Sequence, residues 1–209
     1  FADASARGGG DAMLIYRFGK AVNSDEMMGF AAYLLKDKKP YVTMGNDAFR
    51  SLQSLLFGHE LSEAIPKHDV PDVTWYPETE FCHMKNKSGM FVAAKGGFNN
   101  ESHNHNDAGT FSLYVNTIPV LIDAGVGTYT RKTFSGERYT IWTMQSNYHN
   151  LPMINDVPQK FGQNYKAANT VCNEKKRIFS TDIAAAYPAE AKVKSWKRSY
   201  SLESRKLKI

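Results

Sequence analysis

Thr110-Phe111-Ser112-Leu113-Tyr114-Val115-Asn116-Thr117-Ile118-Pro119-Val120-Leu121-Ile122-Asp123 is the stretch that decides the fold. Phe111, Leu113 and Val115 alternate with Ser112, Tyr114 and Asn116, the period of two that a half-buried strand requires. Asn116-Thr117 reads as a turn that sends the chain back through Ile118 to Ile122, with a strand expected over Val120–Asp123. The same signal marks Glu80–Met84 and Met90–Lys95 before it. Short strands are expected after it, at Val157–Phe161, Thr170–Cys172 and Ile178–Tyr187.

Upstream the period changes. Ala12 to Phe18 is an apolar stretch closed near Gly19, and Ser24 is placed to cap a helix over Asp25–Leu35. Asn46 is the expected cap of a third helix, whose apolar side carries Phe49, Leu52, Leu55 and Leu56 until Gly58 interrupts it. Three prolines between Pro66 and Pro77 read as an extended linker. The fold class is therefore mainly β (α+β overall): an antiparallel β-sandwich preceded by a few helices, with domains at 1–70 and 71–209.

Composition narrows the function. Of 209 residues, 42% are apolar and 22% charged, which excludes wholesale disorder, and no apolar run reaches the roughly 20 residues of a membrane span. Two cysteines, Cys82 and Cys172, make neither a disulfide scaffold nor a Cys-rich zinc module, and whether they are bridged is open. The net charge of +5 is uneven: residues 166–209 hold 11 Lys/Arg against 4 Asp/Glu, a net of +7, which leaves −2 for the rest. That basic tail lacks the aromatic interleaving of a nucleic-acid stripe and reads as a solvated face, so no nucleic acid is expected. The amino terminus, Phe1 to Arg7, lacks an initiator Met and a signal-peptide pattern, as a piece of a longer chain would.

The chemistry is concentrated between Lys95 and Asn150. His103 and His105 sit at i, i+2 in Glu101-Ser102-His103-Asn104-His105-Asn106-Asp107, and would share one side if extended. With His149, Asp107 and Asp123 they form a set of imidazoles and carboxylates of the kind that binds Zn²⁺. A His-x-His pair is also an ordinary local hydrogen-bonding device, and His59, His68 and His83 carry no partner pattern at all. Arg131-Lys132 and Arg138 form a basic cluster with only Glu137 opposing, which suits an anionic partner, and Tyr139, Trp142 and Tyr148 lie close by in sequence, Trp142 fitting a core position better. His103-x-His105-x-Asp107 also resembles the metallo-β-lactamase signature, but that signature continues with His where Ala108 stands, which argues against a metallohydrolase.

Taken in order, His103-Asn104-His105-Asn106-Asp107-Ala108-Gly109-Thr110-Phe111, then Leu121-Ile122-Asp123-Ala124-Gly125 with Tyr129, then His149-Asn150, closely resemble the heparinase II/III family of polysaccharide lyases. The resemblance implies a supersandwich-like β-domain, truncated at its carboxyl end, after the last helices of an incomplete (α/α) toroid. It implies a zinc ion on His105, Asp123 and His149, with His103 facing the substrate as a catalytic residue. Tyr139, Arg131 and Arg138 would meet that substrate, an acidic, uronic-acid-containing polysaccharide such as heparan sulfate or alginate, cleaved by β-elimination. Such enzymes are bacterial and periplasmic or secreted. Their catalytic Tyr and carboxylate-binding Asn or His lie far earlier in the toroid, whereas only 102 residues precede His103 here, so those partners are expected outside this chain. A zinc-stabilised carbohydrate-binding or structural sandwich without activity of its own is the alternative, and the oligomeric state is open.

Overall fold

The computed structural model describes residues 10–36 and 47–209. These divide into two compact units, with the division between Val70 and Pro71. No helix among the described residues is long and apolar enough to cross a membrane.

The first unit holds three helices, α1 (Ala12–Ala21), α2 (Asp25–Leu35) and α3 (Ala48–Glu63). Ser24 caps α2 as expected, its hydroxyl accepting from the Met27 N–H at 3.2 Å. Asp11 caps α1, which runs on through Gly19. The side chain of Asp47 caps α3 by accepting from the Phe49 and Arg50 N–H groups, and the expected cap Asn46 lies outside the described residues. Gly58 does not interrupt α3 but sits buried within it. Phe49, Leu52, Leu55 and Leu56, the expected buried side, are exposed. The helix is apolar on more than one face, and the stripe through Phe57, Leu61 and Ala64 is the one that meets Met13, Tyr16 and Leu35.

The second unit is built from antiparallel strands. A five-stranded sheet runs β1 (Val73–Tyr76), β2 (Phe81–Lys85), β3 (Met90–Lys95), β5 (Phe111–Val115), β6 (Ile118–Leu121). A four-stranded sheet runs β11 (Leu207–Lys208), β10 (Lys197–Leu202), β9 (Ile178–Asp182), β8 (Ala168–Asn173). A two-stranded ribbon pairs β4 (Phe98–Asn99) with β7 (Gly162–Lys166). Cys82, Met84, Val92, Ala94 and Phe111 of the larger sheet meet Phe179, Tyr200 and Leu202 of the smaller one in a single core.

Four expectations need correction. The last part of the Pro66–Pro77 segment is not linker but β1, which pairs Val73–Tyr76 with Met84–Phe81. Residues 157–161 form no strand; the pairing lies later, in β7. The strand expected to Tyr187 stops at Asp182, followed by a short 3-10 turn at Ala184–Ala186. The charges of the basic tail are mostly exposed, but the tail is not a solvated face throughout: β10 buries Tyr200 and Leu202, and the Arg198 guanidinium lies over the Tyr200 ring at 5.4 Å.

The departure that matters for function lies between β3 and β5. These neighbours in the sheet are separated by residues 96–110, which leave it through β4 and return through the His-rich segment.

Candidate metal centre

The loop that carries the histidines is fixed from beneath by Asn99, itself fully buried. Its Oδ1 accepts from the backbone N–H groups of Asp107 (3.1 Å) and Ala108 (3.2 Å). Its Nδ2 donates to Gln159 Oε1 and the Lys160 carbonyl. Gly109 closes the loop with φ +81°, a conformation that favours glycine, and a Cβ there would lie 2.2 Å from Ile183 Cγ2. Ala108 and Ile183 belong to a small apolar cluster under the loop.

The two histidines of the pair do not share an orientation. His103 sits in a turn with φ +56° and is exposed, while His105 is fully buried. An extended segment would have placed both side chains alike, but the turn at residues 101–103 breaks that register.

His105, Asp107, Asp123 and His149 converge, each offering one ligand atom within 4.8 Å of all the others. Asp123 arrives just past β6, where its Oδ1 accepts from the Gly125 N–H at 2.9 Å. His149 follows a short 3-10 turn, with Nδ1 3.2 Å from Asp123 Oδ2 and Nε2 3.0 Å from the Thr143 carbonyl. Asn150 anchors that segment by donating to the carbonyls of Phe111 and Ile122, which holds Asp123 and His149 in one frame.

Electrostatics separates the four. Burial would raise the Asp123 pKa, but hydrogen bonding to and charge on His149 outweigh it and hold it at about 2. Burial likewise opposes the charge on His149, yet Asp123 and Asp107 leave its pKa above the ordinary histidine value. For His105 burial dominates and the pKa falls to about 4, so this imidazole is neutral at working pH. Lys95, buried in the wall, donates to Asp107 Oδ1 and Glu101 Oε2, both at 2.9 Å. Burial opposes its charge and the two carboxylates more than restore it.

The residues fit a metal ion by a test independent of any likeness. Both ring nitrogens of His105 and Oδ2 of Asp107 are buried without a hydrogen-bond partner. A neutral imidazole must donate from one nitrogen and accept at the other, and leaving such a group unsatisfied costs about 1–3 kcal/mol. A cation accepting the lone pair of one His105 nitrogen, together with those of Asp123 and His149, removes the acceptor part of that cost.

Beside this centre lies a cavity of about 500 Å³ lined by His103, Asn104, Thr133, Arg138, Tyr139 and Phe161, among others. Asn104 Nδ2 donates to Tyr139 Oη at 3.2 Å, and the Tyr139 ring stacks on Phe161 with centroids 4.4 Å apart. Arg138 grips the Asn104 carbonyl through Nε and Nη2 and the Thr133 carbonyl through Nη1, so it braces the loop. Arg131 is exposed and outside that lining. Trp142 is exposed rather than in the core, edge-on to Tyr148 at 5.3 Å. Sequence reasoning missed Lys95, Asn99, Thr143 and Gln159. Only Asn99 carried a hint, in the polar run Asn99-Asn100-Glu101-Ser102 just ahead of the histidines.

Comparison with known proteins agrees with this architecture. No curated protein gives a significant match. A solved structure described as heparinase III, the BT4657 gene product, superimposes with a TM-score of 0.59 at 16% identity, over 96% of this chain and 26% of its own. Heparan sulfate lyase HepC from Pedobacter heparinus, in a mutant form, gives 0.55 at 12% identity, over 92% of this chain and 26% of its own. The chain thus spans about a quarter of the length of these structures, and the likeness is one of fold. The family model for the heparinase II/III-like C-terminal domain matches residues 68–209. With the greater part of the chain inside that match, the protein belongs to the heparinase II/III-like family.

Proposed function

We propose that this chain is part of a polysaccharide lyase that cleaves an acidic, uronic-acid-containing polysaccharide by β-elimination. One observation carries the reading: the two histidines of the motif stand in opposite environments. His105 is buried with both ring nitrogens unpartnered, while His103, two residues away, is exposed at the rim of a cavity with Tyr139. His105, Asp123 and His149 would hold a zinc ion, with Asp107 beside them. When bound, that ion supplies positive charge and a fixed geometry to the loop that aims His103.

The remaining chemistry belongs to side chains. Elimination removes the C5 proton of a uronate and expels the oxygen at C4. It needs a base with a pKa near working pH, an acid to protonate the departing oxygen, and donors on the neighbouring carboxylate. His103 is placed to act on the sugar from the cavity rim. Tyr139, on the Phe161 ring, offers a flat face for a pyranose, and Arg138 keeps the Asn104 backbone in register beneath them. Arg131 lies farther along the same basic loop and would meet the anionic chain outside the cavity. Residues 1–70 are read as the end of a helical toroid and 71–209 as the sandwich, with the partner Tyr and Asn or His supplied by other parts of the toroid. Export to the bacterial periplasm or beyond accords with such a substrate.

In the full-length protein, His103→Ala should keep the fold and the metal while lowering uronate elimination by about 10²-fold or more. Elimination creates a conjugated double bond, so the rise of ultraviolet absorbance reads it directly. An enzyme indifferent to His103→Ala would remove His103 from the reaction. Robust elimination by residues 1–209 alone would contradict the placing of the partner residues elsewhere.

A further inference from the structure

We propose that Cys82 and Cys172 are a disulfide-forming pair that ties the two sheets of the sandwich together. They are the only cysteines in the chain, ninety positions apart, and their Sγ atoms lie 3.5 Å from one another. Cys82 stands on β2, an interior strand of the larger sheet next to its edge, opposite Trp75 on one side and Ala94 on the other. Cys172 stands on β8, the outermost strand of the smaller sheet, opposite Phe179. Cys82 is fully buried in the shared core and Cys172 packs against that core, partly open to solvent.

The geometry favours bonding over mere filling. A disulfide brings its sulfurs to about 2.05 Å, so closure needs an approach of roughly 1.5 Å. That movement falls on β8, which has a neighbour on one side only and already breaks register between Ala168 and Val171. The product is apolar and suits the buried site; burial raises the pKa of both thiols, Cys82 the more, which slows the exchange without opposing the bond once formed. The bond would close a loop of about ninety residues between two strands that share no hydrogen-bond ladder, where a covalent tie constrains the unfolded chain strongly.

The oxidant is a disulfide, small or protein-borne. Cys172, the accessible thiol, loses its proton and attacks one oxidant sulfur, expelling the other as a thiolate and leaving a mixed disulfide. Cys82 loses its proton and attacks the Cys172 sulfur, expelling the second half of the oxidant. One S–S bond is consumed and one made; two protons leave the chain and two electrons reduce the oxidant to two thiols.

The test is to incubate the folded chain with oxidised glutathione, then unfold it in guanidinium with an alkylating agent and weigh it. The expected product is monomeric and lighter by two hydrogens, accepts no alkyl group, and yields one linked peptide holding residues 82 and 172. Prior reduction should restore two alkylated sites. Two alkyl groups after native oxidation, one retained glutathione, or links between separate chains would each overturn the proposal. Cys82→Ser should trap one glutathione on Cys172, and failure to do so would overturn the assigned order of attack.

Discussion

Lys95 is the side chain on which the charge balance of the centre turns. Its ammonium lies between the carboxylates of Asp107 and Glu101 at 2.9 Å each, with Asp107 wholly buried. Replacing Lys95 by Met leaves that carboxylate without its cation, and breaking a buried pair from one side costs about 3–5 kcal/mol. The denaturation midpoint of Lys95→Met should fall accordingly; a loss under about 1 kcal/mol would mean that Asp107 is satisfied by other groups. The sequence could not show this. In Val92-Ala93-Ala94-Lys95 the lysine closes an apolar run, where spacing alone sends it to solvent. The histidines were legible because imidazoles and carboxylates recurring around one loop are chemically unusual. Which of them turned inward came only from the family resemblance, because the left-handed turn at His103 leaves no mark on the residue pattern.

Among the elements, the excursion between β3 and β5 sets the site, and Gly109 is a tight joint in it. With φ +81° and Ile183 Cγ2 2.2 Å from where a Cβ would stand, Gly109→Ala meets both backbone strain and a clash. Its expected cost is about 2–3 kcal/mol, read as a lowered Tm. Gly136, with nothing within 4 Å of a Cβ, is the control, and Gly136→Ala should stay within about 0.5 kcal/mol. Equal effects at the two glycines would contradict the tight packing of the loop on Ile183. Strand β5 was readable because Phe111, Leu113 and Val115 alternate with Ser112 and Tyr114, and β3 because it is a short apolar run. The ribbon of β4 and β7 was not, since Gly162-Gln163-Asn164-Tyr165-Lys166 is polar throughout and pairs for the sake of the loop rather than for burial. Strand β10 was hidden for a related reason: Lys197 and Arg198 mask the alternation that ends in buried Tyr200 and Leu202.

At the scale of the whole molecule, the centre joins segments far apart in the chain, so its occupancy should be felt in global stability. His105 comes from the loop, Asp123 from the end of β6 and His149 from a turn 44 positions after His105. In the metal-free chain the raised pKa of His149 gives a contribution fully present below the unfolded value of about 6.5, lost as pH rises through the folded value. Metal binding has the opposite sign, because the ligand must shed that proton. The gain in Tm on adding zinc should therefore grow as pH rises through about 6.5 toward the higher folded value of His149; a gain independent of pH would take His149 out of the ligand set. The measurement that tests the account most directly is the zinc content of the purified chain, set beside His149→Ala and His103→Ala, by elemental mass spectrometry. About one zinc per chain is expected in the native sequence and in His103→Ala, with little in His149→Ala. A zinc-free native chain, or full zinc in His149→Ala, would contradict it.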